Sequence, residues 1–537
     1  MLRMKWITDN EGCLTIRWCE ETRPQRVPAY QRESFYSQAF RVEGPPGGLA
    51  QSAAAGGEEF CRIQSPARAG VRVRTRSSGF TSLALRRALR RLHWAVILIC
   101  LLACGNLWGQ DQDPPTAHPS GSDQQTSTSA PWSLHYQATA IPQGHGDFHS
   151  PYASSNSLSP ETEVATSFTS TLYVGRKLWN GAEVYINPEI LAGSGLSHTL
   201  GIAGFPNGEI YRVDNPRPKL NLSRFFLRQT WGRGDSGGFV PSGQNHVPGY
   251  LFASRISLTA GKFSLVDMFD GNAYSHDART QFMNWPLMDN GAWDFAADTR
   301  GYTEGVALEV YRSRWAWRMA SVLVPKYANG MQMDTRIARA QADNFEVERR
   351  HALHGHAGAA RLMTYANHAH MGSYCETIDT PPFEMDIAKS RAYRAKYGAG
   401  VNLEQEIAKD LGVFFRYGWN DGHTETWAFT EIDRTGSGGL SLGGRPWGRP
   451  SDRIGLAFVE NGLSHDHEEY LSLGGKGFII GDGKLNYGRE RILETYYLIA
   501  LKDGFALSPD FQYVVSPAYN RDRGPVTIYA LRLHWER

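Results

Sequence analysis

The sequence predicts an all-β fold, a closed antiparallel transmembrane β-barrel of about 16 strands with one or more inward constriction loops. Three observations lead to this prediction. Residues 132–537 break into strand-like segments of around ten residues, the length that a tilted strand needs to cross a bilayer. Several segments alternate an apolar face with a face that carries arginine. An export signal precedes them along the chain.

Residues 1–85 are predicted to be a non-native or disordered N-terminal extension. They mix Arg, Gly, Pro and Ala without sustained helical or strand periodicity. Because a signal peptide belongs at the N-terminus, one that begins near residue 83 indicates that translation starts there. A basic regulatory or nucleic-acid-binding tail is the alternative interpretation of this stretch.

Residues 86–109 form a predicted signal peptide. Arginines at positions 86, 87, 90 and 91 precede an apolar run of 11 residues, and small, turn-prone residues end it. A membrane-spanning helix needs about 20 residues, so the run directs export and is too short for an anchor. Cleavage is expected near Gly109. The alternative is cleavage before a lipidated Cys104, which a barrel that holds itself in the membrane does not need.

The spacer and the charge balance separate the leader from the exported part. Residues 110–131 are polar and rich in Pro, Ser and Thr, which predicts a disordered spacer. Residues 1–109 hold 16 of the 56 Lys and Arg residues and 8 of the 54 Asp and Glu residues. Residues 110–537 therefore hold 40 basic and 46 acidic residues. The exported part is therefore acidic, and no nucleic-acid partner is expected.

Residues 132–537 contain the predicted strands, which are bounded by clusters of Gly, Pro, Asn and Asp. The links between them alternate between very short and long. The segments are 132–140, 164–178, 182–191, 222–231, 255–263, 302–311, 315–324, 345–352, 359–367, 397–407, 412–420, 439–442, 454–461, 492–501, 505–514 and 526–535.

Side-chain alternation in these strands fits two kinds of barrel. In the last segment Tyr529 and Leu533 share one face and Arg532 lies on the other. This pattern alone also fits a soluble barrel with apolar residues inside. Export favours the outer membrane, where the sheet must close because an open edge leaves backbone groups unsatisfied. Tryptophans at predicted strand ends, typical of interface girdles, point the same way. They are Trp231, Trp285, Trp315, Trp419 and Trp535.

Several longer stretches carry a family resemblance. The most specific are GKFSLVDMFDGNAYSHDARTQFMNW at 261–285, WGRPSDRIGLAF at 447–458 and YNRDRGPVTIYALRLH at 519–534. VNLEQEI at 401–407, FFRYGWNDGHTE at 414–425 and GAEVYINPEILAGSGLS at 181–197 support them. Together they resemble the carbohydrate-selective porins of the OprB type, in the branch found among acidobacteria and some proteobacteria. The resemblance runs from about residue 132 to residue 534.

The resemblance implies a sixteen-stranded barrel in the outer membrane of a Gram-negative bacterium that admits small saccharides passively. Sugar hydroxyls would bridge Arg donors and carboxylate acceptors, and sugar C–H faces would stack on aromatic rings. Weak, multiple contacts allow both entry and exit. The expected partners are small saccharides, outer-membrane lipid and the barrel assembly machinery. A homotrimer is one arrangement that the sequence leaves open.

Candidate lumen residues are arginines and carboxylates on the predicted inward faces. Arg224 and Arg228 are four residues apart in one segment and therefore share a face. The arginine ladder is Arg224, Arg228, Arg255, Arg318 and Arg416, and the opposing carboxylates are Glu183, Glu189 and Glu309. The alternative to sugar contact is ion pairing between these groups within the wall.

A constriction is predicted in the stretch 261–285, which is too rich in turn formers and aromatic residues to be wholly strand. Part of it is expected to fold inward. This would place Asp267, Asp270, Asp277 or Arg279 near the passage. Turn capping is the alternative role for the aspartates.

No catalytic residue, metal site or cofactor is predicted. The sequence has no GxSxG elbow, no HExxH and no GxxxxGK[ST] loop. The histidines of HALHGH at 351–356 follow two arginines, which disfavours a bound cation. The alternatives to a saccharide channel are a general or plugged structural barrel and an outer-membrane barrel hydrolase.

The C-terminus departs from the family pattern. Barrels of this kind commonly end in an aromatic residue that the assembly machinery reads, whereas this chain ends in Trp535-Glu536-Arg537. Trp535, two residues before the C-terminus, is expected to be the aromatic residue that the assembly machinery reads. The alternative is less efficient assembly.

The mass of the exported protein's N-terminus tests the predicted processing. We expect the mature chain to begin near Gln110, with no peptides from residues 1–85 in the cell. A mature N-terminus at a lipidated Cys104, or recovery of peptides from residues 1–80, would contradict this prediction.

Overall fold

The computed structural model describes residues 2–8, 14–20, 130–210, 217–380 and 385–537. The first two ranges form an antiparallel hairpin of β1 (Leu2–Thr8) and β2 (Leu14–Glu20). The sequence analysis expected no strand in this part of the chain. The predicted signal peptide and most of the predicted spacer lie outside the described residues.

Sixteen further strands form one closed antiparallel barrel. They are β3 (Trp132–His145), β4 (Glu163–Trp179), β5 (Ala182–Gly193), β6 (Lys219–Val240), β7 (Gly249–Phe263), β8 (Thr303–Arg312), β9 (Trp315–Val322), β10 (Gln341–Leu353), β11 (His356–Met371), β12 (Ala392–Ala408), β13 (Leu411–Asn420), β14 (Arg434–Gly443), β15 (Arg453–Gly462), β16 (Glu490–Ala500), β17 (Phe505–Val515) and β18 (Val526–Glu536). Each strand pairs with its neighbours in sequence, and β18 pairs with β3 to close the sheet. Every strand overlaps one predicted segment, so the predicted fold class is confirmed.

Short helices lie in the connections between strands. The α-helices are α1 (Trp285–Met288), α2 (Tyr374–Asp379) and α3 (His465–Ser472), and the 3₁₀ turns are Leu196–His198, Leu265–Asp267, Ile387–Ser390, Arg445–Trp447 and Pro517–Tyr519. Serine caps begin two of the helices: Ser373 accepts from the Glu376 N–H, and Ser464 accepts from the His467 N–H. None of the helices in the described part of the chain is long and apolar enough to span a membrane.

The two ends of the barrel differ in the length of their connections. At one end, turns as short as residues 180–181 and 354–355 join consecutive strands. Gly181 has φ of 76°, and a Cβ there would lie 2.1 Å from the Thr230 carbonyl oxygen, so this turn requires glycine. The connection between β7 and β8 at the other end spans residues 264–302. In barrels of this class the short turns face the periplasm and the long loops face outward.

The barrel exposes apolar side chains and buries polar ones. On β18, Tyr529 is 61% exposed and Leu533 is 49% exposed, whereas Arg532 between them is fully buried. On β13, Phe415 points outward and Arg416 inward. The predicted alternation is therefore confirmed. An apolar exterior around a polar interior fits a barrel in hydrocarbon and contradicts the soluble alternative.

The aromatic residues at the strand ends are confirmed in part. At the short-turn end, Trp535 stacks on Phe505 with ring centres 5.6 Å apart and packs against Tyr136 at 5.3 Å. Trp419 packs against Tyr397 near the long-loop end. The prediction is wrong for Trp285, which lies in α1 and is fully buried. The reason is that the connection containing α1 enters the barrel instead of extending β7.

The connection at residues 264–302, named the inner loop below, folds into the barrel as predicted. Its residues hydrogen-bond to inward side chains of several distant strands. For example, the Trp293 indole donates to Asn344 on β10 at 3.0 Å, and the Met283 N–H donates to Glu494 on β16 at 2.6 Å. The inner loop therefore crosses the barrel interior and narrows it.

The orientation of the faces can be tested with charge insertions on β18. Replacement of Leu531, at the middle of the outward face, by Arg should cost about 2–4 kcal/mol of unfolding free energy in lipid vesicles. The matched change Thr527→Arg, near the strand end, should cost about 0–1 kcal/mol. Equal costs at the two positions would contradict the membrane-facing assignment.

Candidate functional site

Three inward arginines each lie against a tyrosine whose hydroxyl binds a glutamate, and the first group joins β5 and β6. The Arg228 guanidinium lies 5.4 Å from the Tyr185 ring centre, and the Tyr185 hydroxyl donates to Glu183 at 2.7 Å. Glu183 is also the cross-strand partner of Arg228. Arg228 further donates to the Asn245 carbonyl at 3.2 Å.

The second group joins β7 and β8. The Arg255 guanidinium lies 3.8 Å from the Tyr311 ring centre, and the Tyr311 hydroxyl donates to Glu309 at 2.6 Å. Arg255 and Tyr311 are cross-strand partners, which fixes the stack. Arg318 on β9 approaches Glu309 at 3.8 Å and Tyr311 at 5.7 Å. This group therefore contains three of the predicted lumen residues.

The third group brings the inner loop to the wall. Arg224 binds both carboxylate oxygens of Asp267, at 2.7 and 2.6 Å. Its guanidinium lies 5.2 Å from the ring of Tyr302, and the Tyr302 hydroxyl donates to Glu189 at 2.9 Å. Bidentate pairing of this kind is geometrically specific. Arg224 thus fixes one end of the inner loop and keeps a partly exposed side chain.

The three Arg–Tyr–Glu groups differ in which members remain exposed. Each of the three arginines is half-buried and supplies several N–H donors. Tyr311 is half-buried as well and offers part of a flat apolar ring, whereas Tyr185 and Tyr302 are buried. Among the glutamates, Glu183 is half-buried and can accept hydrogen bonds, whereas Glu189 and Glu309 are almost fully covered.

Arg318 belongs to a chain of ion pairs in the wall. It binds Glu346 at 2.7 Å and Glu348 at 3.0 Å. Arg361 continues the chain to Glu348 at 2.9 Å and Glu404 at 3.2 Å. These pairs are almost entirely buried, so the alternative reading, ion pairing within the wall, describes this part of the barrel.

Arg416 holds the inner loop. Its side chain has no exposed surface, and its Nε lies 2.9 Å from the Asp270 carboxylate. It also donates to the carbonyl oxygens of Leu287 at 2.8 Å and Ser275 at 2.5 Å. Asn402 donates to the same Asp270 carboxylate at 2.7 Å. All of these contacts are with the inner loop, so Arg416 and Asp270 fix its position.

Side chains of β16 and β18 hold the same inner loop. Glu494 accepts from the backbone N–H groups of Met283 at 2.6 Å and Asn284 at 3.0 Å. Fully buried Arg532 donates to the carbonyl oxygens of Ala278 at 2.6 Å and Gln281 at 2.7 Å. Wall carboxylates therefore satisfy loop donors, and wall arginines satisfy loop acceptors.

Asp277 and Arg279 lie in the part of the inner loop next to the β5–β6 connection. Asp277 accepts from the Arg279 N–H at 3.0 Å and from the Thr280 hydroxyl at 2.6 Å, which is a turn cap. Arg279 pairs with Glu209 at 3.0 Å. Both side chains of the Asp277–Arg279 turn remain partly exposed.

An aromatic cluster from three connections lies inside the barrel. Trp285 stacks on Phe205 with ring centres 5.6 Å apart and packs against Phe429 at 5.3 Å. Phe295 stacks on Phe429 at 4.5 Å. All four rings are buried. The cluster joins the β5–β6, β7–β8 and β13–β14 connections.

The sequence analysis missed the carboxylates that bind loop backbone. Glu490 accepts from the N–H groups of Ala203, Gly204 and Ala518, at 2.7 to 3.0 Å. Glu431, within the β13–β14 connection, accepts from three consecutive N–H groups at residues 478–480. Glu490 and Glu494 are four apart on one strand face, so the rule applied to the arginines would have found them.

The histidines of the described residues are not arranged as a metal site. No group of three or more His, Cys, Asp or Glu side chains in residues 130–210, 217–380 and 385–537 is placed to hold a metal ion. His351 instead contacts Gln405 at 2.9 Å, and His356 lies 3.4 Å from Glu406.

The fold and the interior define a class of protein. A closed barrel of sixteen antiparallel strands, with an apolar exterior, a polar interior and a loop folded inside, is an outer-membrane porin. Proteins of this class form channels through the outer membrane.

The family model for the carbohydrate-selective porin, OprB family, matches residues 155–536, and the chain belongs to this family. The fold is similar to the high-pH structure of Pseudomonas putida OprB, with a TM-score of 0.58 at 15% identity over 76% of this chain and 94% of that chain. The outer membrane channel DcaP of Acinetobacter baumannii gives a TM-score of 0.43 at 8% identity over 76% and 97% of the two chains. No curated protein matches the sequence significantly.

The anchoring of the inner loop by Asp270 can be tested directly. Asp270→Asn leaves the buried Arg416 guanidinium without its counter-charge, which typically costs about 3–5 kcal/mol. We expect faster hydrogen exchange across residues 264–302 than in the unmodified protein. The control Asp277→Asn, in the same loop, removes only a turn cap and should change exchange only near residue 279. Equal effects of the two substitutions would contradict the anchoring role.

Proposed function

We propose that the protein is a carbohydrate-selective porin that lets small, uncharged saccharides diffuse passively across the outer membrane. Family membership supports this proposal, and the observation that carries it is the set of Arg–Tyr–Glu groups on β5 to β8. Their half-buried arginines supply donors, Glu183 supplies an acceptor, and Tyr311 supplies part of an aromatic ring surface. No cofactor, energy source or covalent step is needed.

The partly exposed candidates are the ones that we expect to contact the solute. Arg224, Arg228 and Arg255 keep half-buried guanidinium groups, and Asp267 retains 29% side-chain exposure. Glu183 keeps a similar, half-buried position. Each contact exchanges a hydrogen bond to water for one to protein and contributes only about 0.5–1.5 kcal/mol. Weak contacts of this size allow release as well as binding.

The remaining candidates are expected to position the wall and the loop. Arg318 and Arg416 are buried in ion pairs, and Asp270 and Glu189 are almost fully covered. These groups shape the passage without needing to touch the solute. The last three candidates belong to neither set, because each makes a contact within the protein and keeps some side-chain exposure. They are Asp277, Arg279 and Glu309.

A plugged barrel is the second candidate, because buried aromatic rings fill part of the interior. Trp285, Phe295 and Phe429 pack tightly where three connections meet. If this cluster closes the passage, the barrel is structural and no solute crosses. Conductance separates the two candidates, since a plugged barrel carries no current.

We further propose that the chain reaches the outer membrane through its predicted signal peptide and the barrel assembly machinery. Outer-membrane lipid would cover the apolar exterior. A homotrimer is compatible with this arrangement and is tested by the mass of the detergent-solubilised protein.

Liposome swelling with a series of neutral sugars tests the proposed function. We expect swelling that falls as the sugar becomes larger. Arg228→Ala should weaken sugar binding inside the channel by up to about tenfold, because it removes donors of the first Arg–Tyr–Glu group. The rate of swelling should change accordingly. The matched control is Arg349→Ala, since Arg349 also lies against an aromatic ring, 5.5 Å from that of Trp315, but on the outward face.

Three outcomes would contradict the proposal. Absence of swelling would favour the plugged barrel. Swelling rates that depend on solute size alone, and are equal for a sugar and another neutral solute of the same size, would favour a general pore. Identical behaviour of Arg228→Ala and Arg349→Ala would remove Arg228 from the solute pathway.

A further inference from the structure

A cluster of three arginines lies on the outward face of the barrel near its long-loop end. Arg489 and Arg491 both bind the Glu460 carboxylate, at 2.5 and 2.7 Å, and keep 62% and 55% of their side-chain surface exposed. Arg434 is the first residue of β14, the strand next to the one that carries Glu460. Its side chain points outward and has no ion-pair partner among the described residues. The strand register places the cluster together: Arg434 pairs with Gly462 at the end of β15, and Glu490, which follows Arg489, pairs with Asn461 on the other side of β15.

A groove free of side chains runs from this cluster toward the middle of the membrane. Its floor is the outward face of β14, where Gly436 and Gly438 follow Arg434 at alternate positions. A Cβ at Gly436 would meet no atom within 4 Å, and one at Gly438 would approach only a backbone oxygen at 3.3 Å and a ring edge at 3.8 Å. The floor ends at the exposed side chain of Leu440.

Aromatic side chains form the walls of the groove. The strand register places Phe415 and Phe458 on either side of Gly438, and Tyr417 and Glu460 on either side of Gly436. The three rings are all exposed on the outward face. The groove is therefore lined by aromatic rings along β14, with Glu460 and the basic cluster at its long-loop end.

The basic cluster lies at the depth of lipid head groups. Arg434 begins β14, and Arg489 directly precedes β16, so both arginines lie where these strands leave the wall for the long loops. Because the long loops of such barrels face outward, this end of the wall meets the outer leaflet. The arginines therefore lie on the side of the membrane that carries outer-leaflet head groups.

We propose that this surface binds one phosphorylated, acylated lipid of the outer leaflet. Its phosphate binds Arg434, Arg489 and Arg491, and one acyl chain lies in the groove over Gly436 and Gly438. Three guanidinium groups against one carboxylate leave an excess of positive charge, which is complementary to phosphate. An apolar groove that continues from this charge into the hydrocarbon depth fits an acyl chain. Binding at this site does not depend on what passes through the lumen.

Native mass spectrometry of the detergent-solubilised full chain tests this proposal, with bisphosphorylated lipid A as the probe. We expect the unmodified protein to retain one lipid A per barrel. The double variant R489Q/R491Q should retain at least tenfold less. Gly436→Leu, which keeps all three arginines, should also reduce retention because the new side chain occupies the groove. Heat-shifted migration on gels confirms that each variant is folded.

Arg176→Gln is the matched control. Arg176 is likewise an exposed arginine of the outward face, 4.6 Å from the ring of Trp132, but it lies at the short-turn end of the barrel. Its replacement should leave lipid A retention unchanged. Dephosphorylated lipid A should bind at least tenfold more weakly than the bisphosphorylated form.

Several results would overturn the proposal. Unchanged retention in R489Q/R491Q would show that the arginines are not the phosphate site, and unchanged retention in Gly436→Leu would remove the groove. Displacement of lipid A by millimolar inorganic phosphate would indicate a free-anion site. A multimer of barrels that dissociates in Gly436→Leu would indicate that a second copy of the chain occupies the groove.

Discussion

The complete pairing of backbone hydrogen-bonding groups in hydrocarbon is the constraint on which the structure depends. Lipid offers no partner for a free N–H or C=O, so a sheet in the membrane has to close. Pairing of β18 with β3 achieves this. Once the sheet is closed, side chains alternate between lipid and interior, and the interior becomes the place where polar residues lie at low cost. The apolar surface around Tyr529 and the burial of Arg532 on the same strand follow from that one requirement.

The same requirement extends to the loops inside the barrel. Irregular backbone at membrane depth also needs partners, and inward side chains of the wall provide them. Glu490 and Glu494 accept from loop N–H groups, and Arg416 and Arg532 donate to loop carbonyls. Inward charge thus has two uses in this barrel. One set of residues satisfies the loops, and a second set on β5 to β8 stays partly exposed to the passage.

Local pattern predicted the strands, their faces and the inward stretch near Asp270, because each depends on residues close in sequence. The pairing of side chains depended on register between strands and on where loops cross the barrel. This is why the tyrosine that joins Arg255 to Glu309 was not foreseen, although Tyr311 lies two residues from Glu309. The hairpin β1–β2 was missed although its two segments alternate, with Leu2, Met4 and Trp6 in one and Leu14, Ile16 and Trp18 in the other. The alternation covers only seven residues in each segment, and residues 1–85 as a whole show no sustained period. Trp285 was misplaced because a buried helix and a strand end both accommodate tryptophan.

The central claim is that neutral sugars pass through a lumen narrowed by the inner loop. Single-channel conductance of the full chain in planar bilayers, titrated with a monosaccharide and a disaccharide, tests this most directly. The account predicts an ionic current that each sugar blocks in a concentration-dependent, saturable manner. A barrel without current, or a current that no sugar affects, would contradict it.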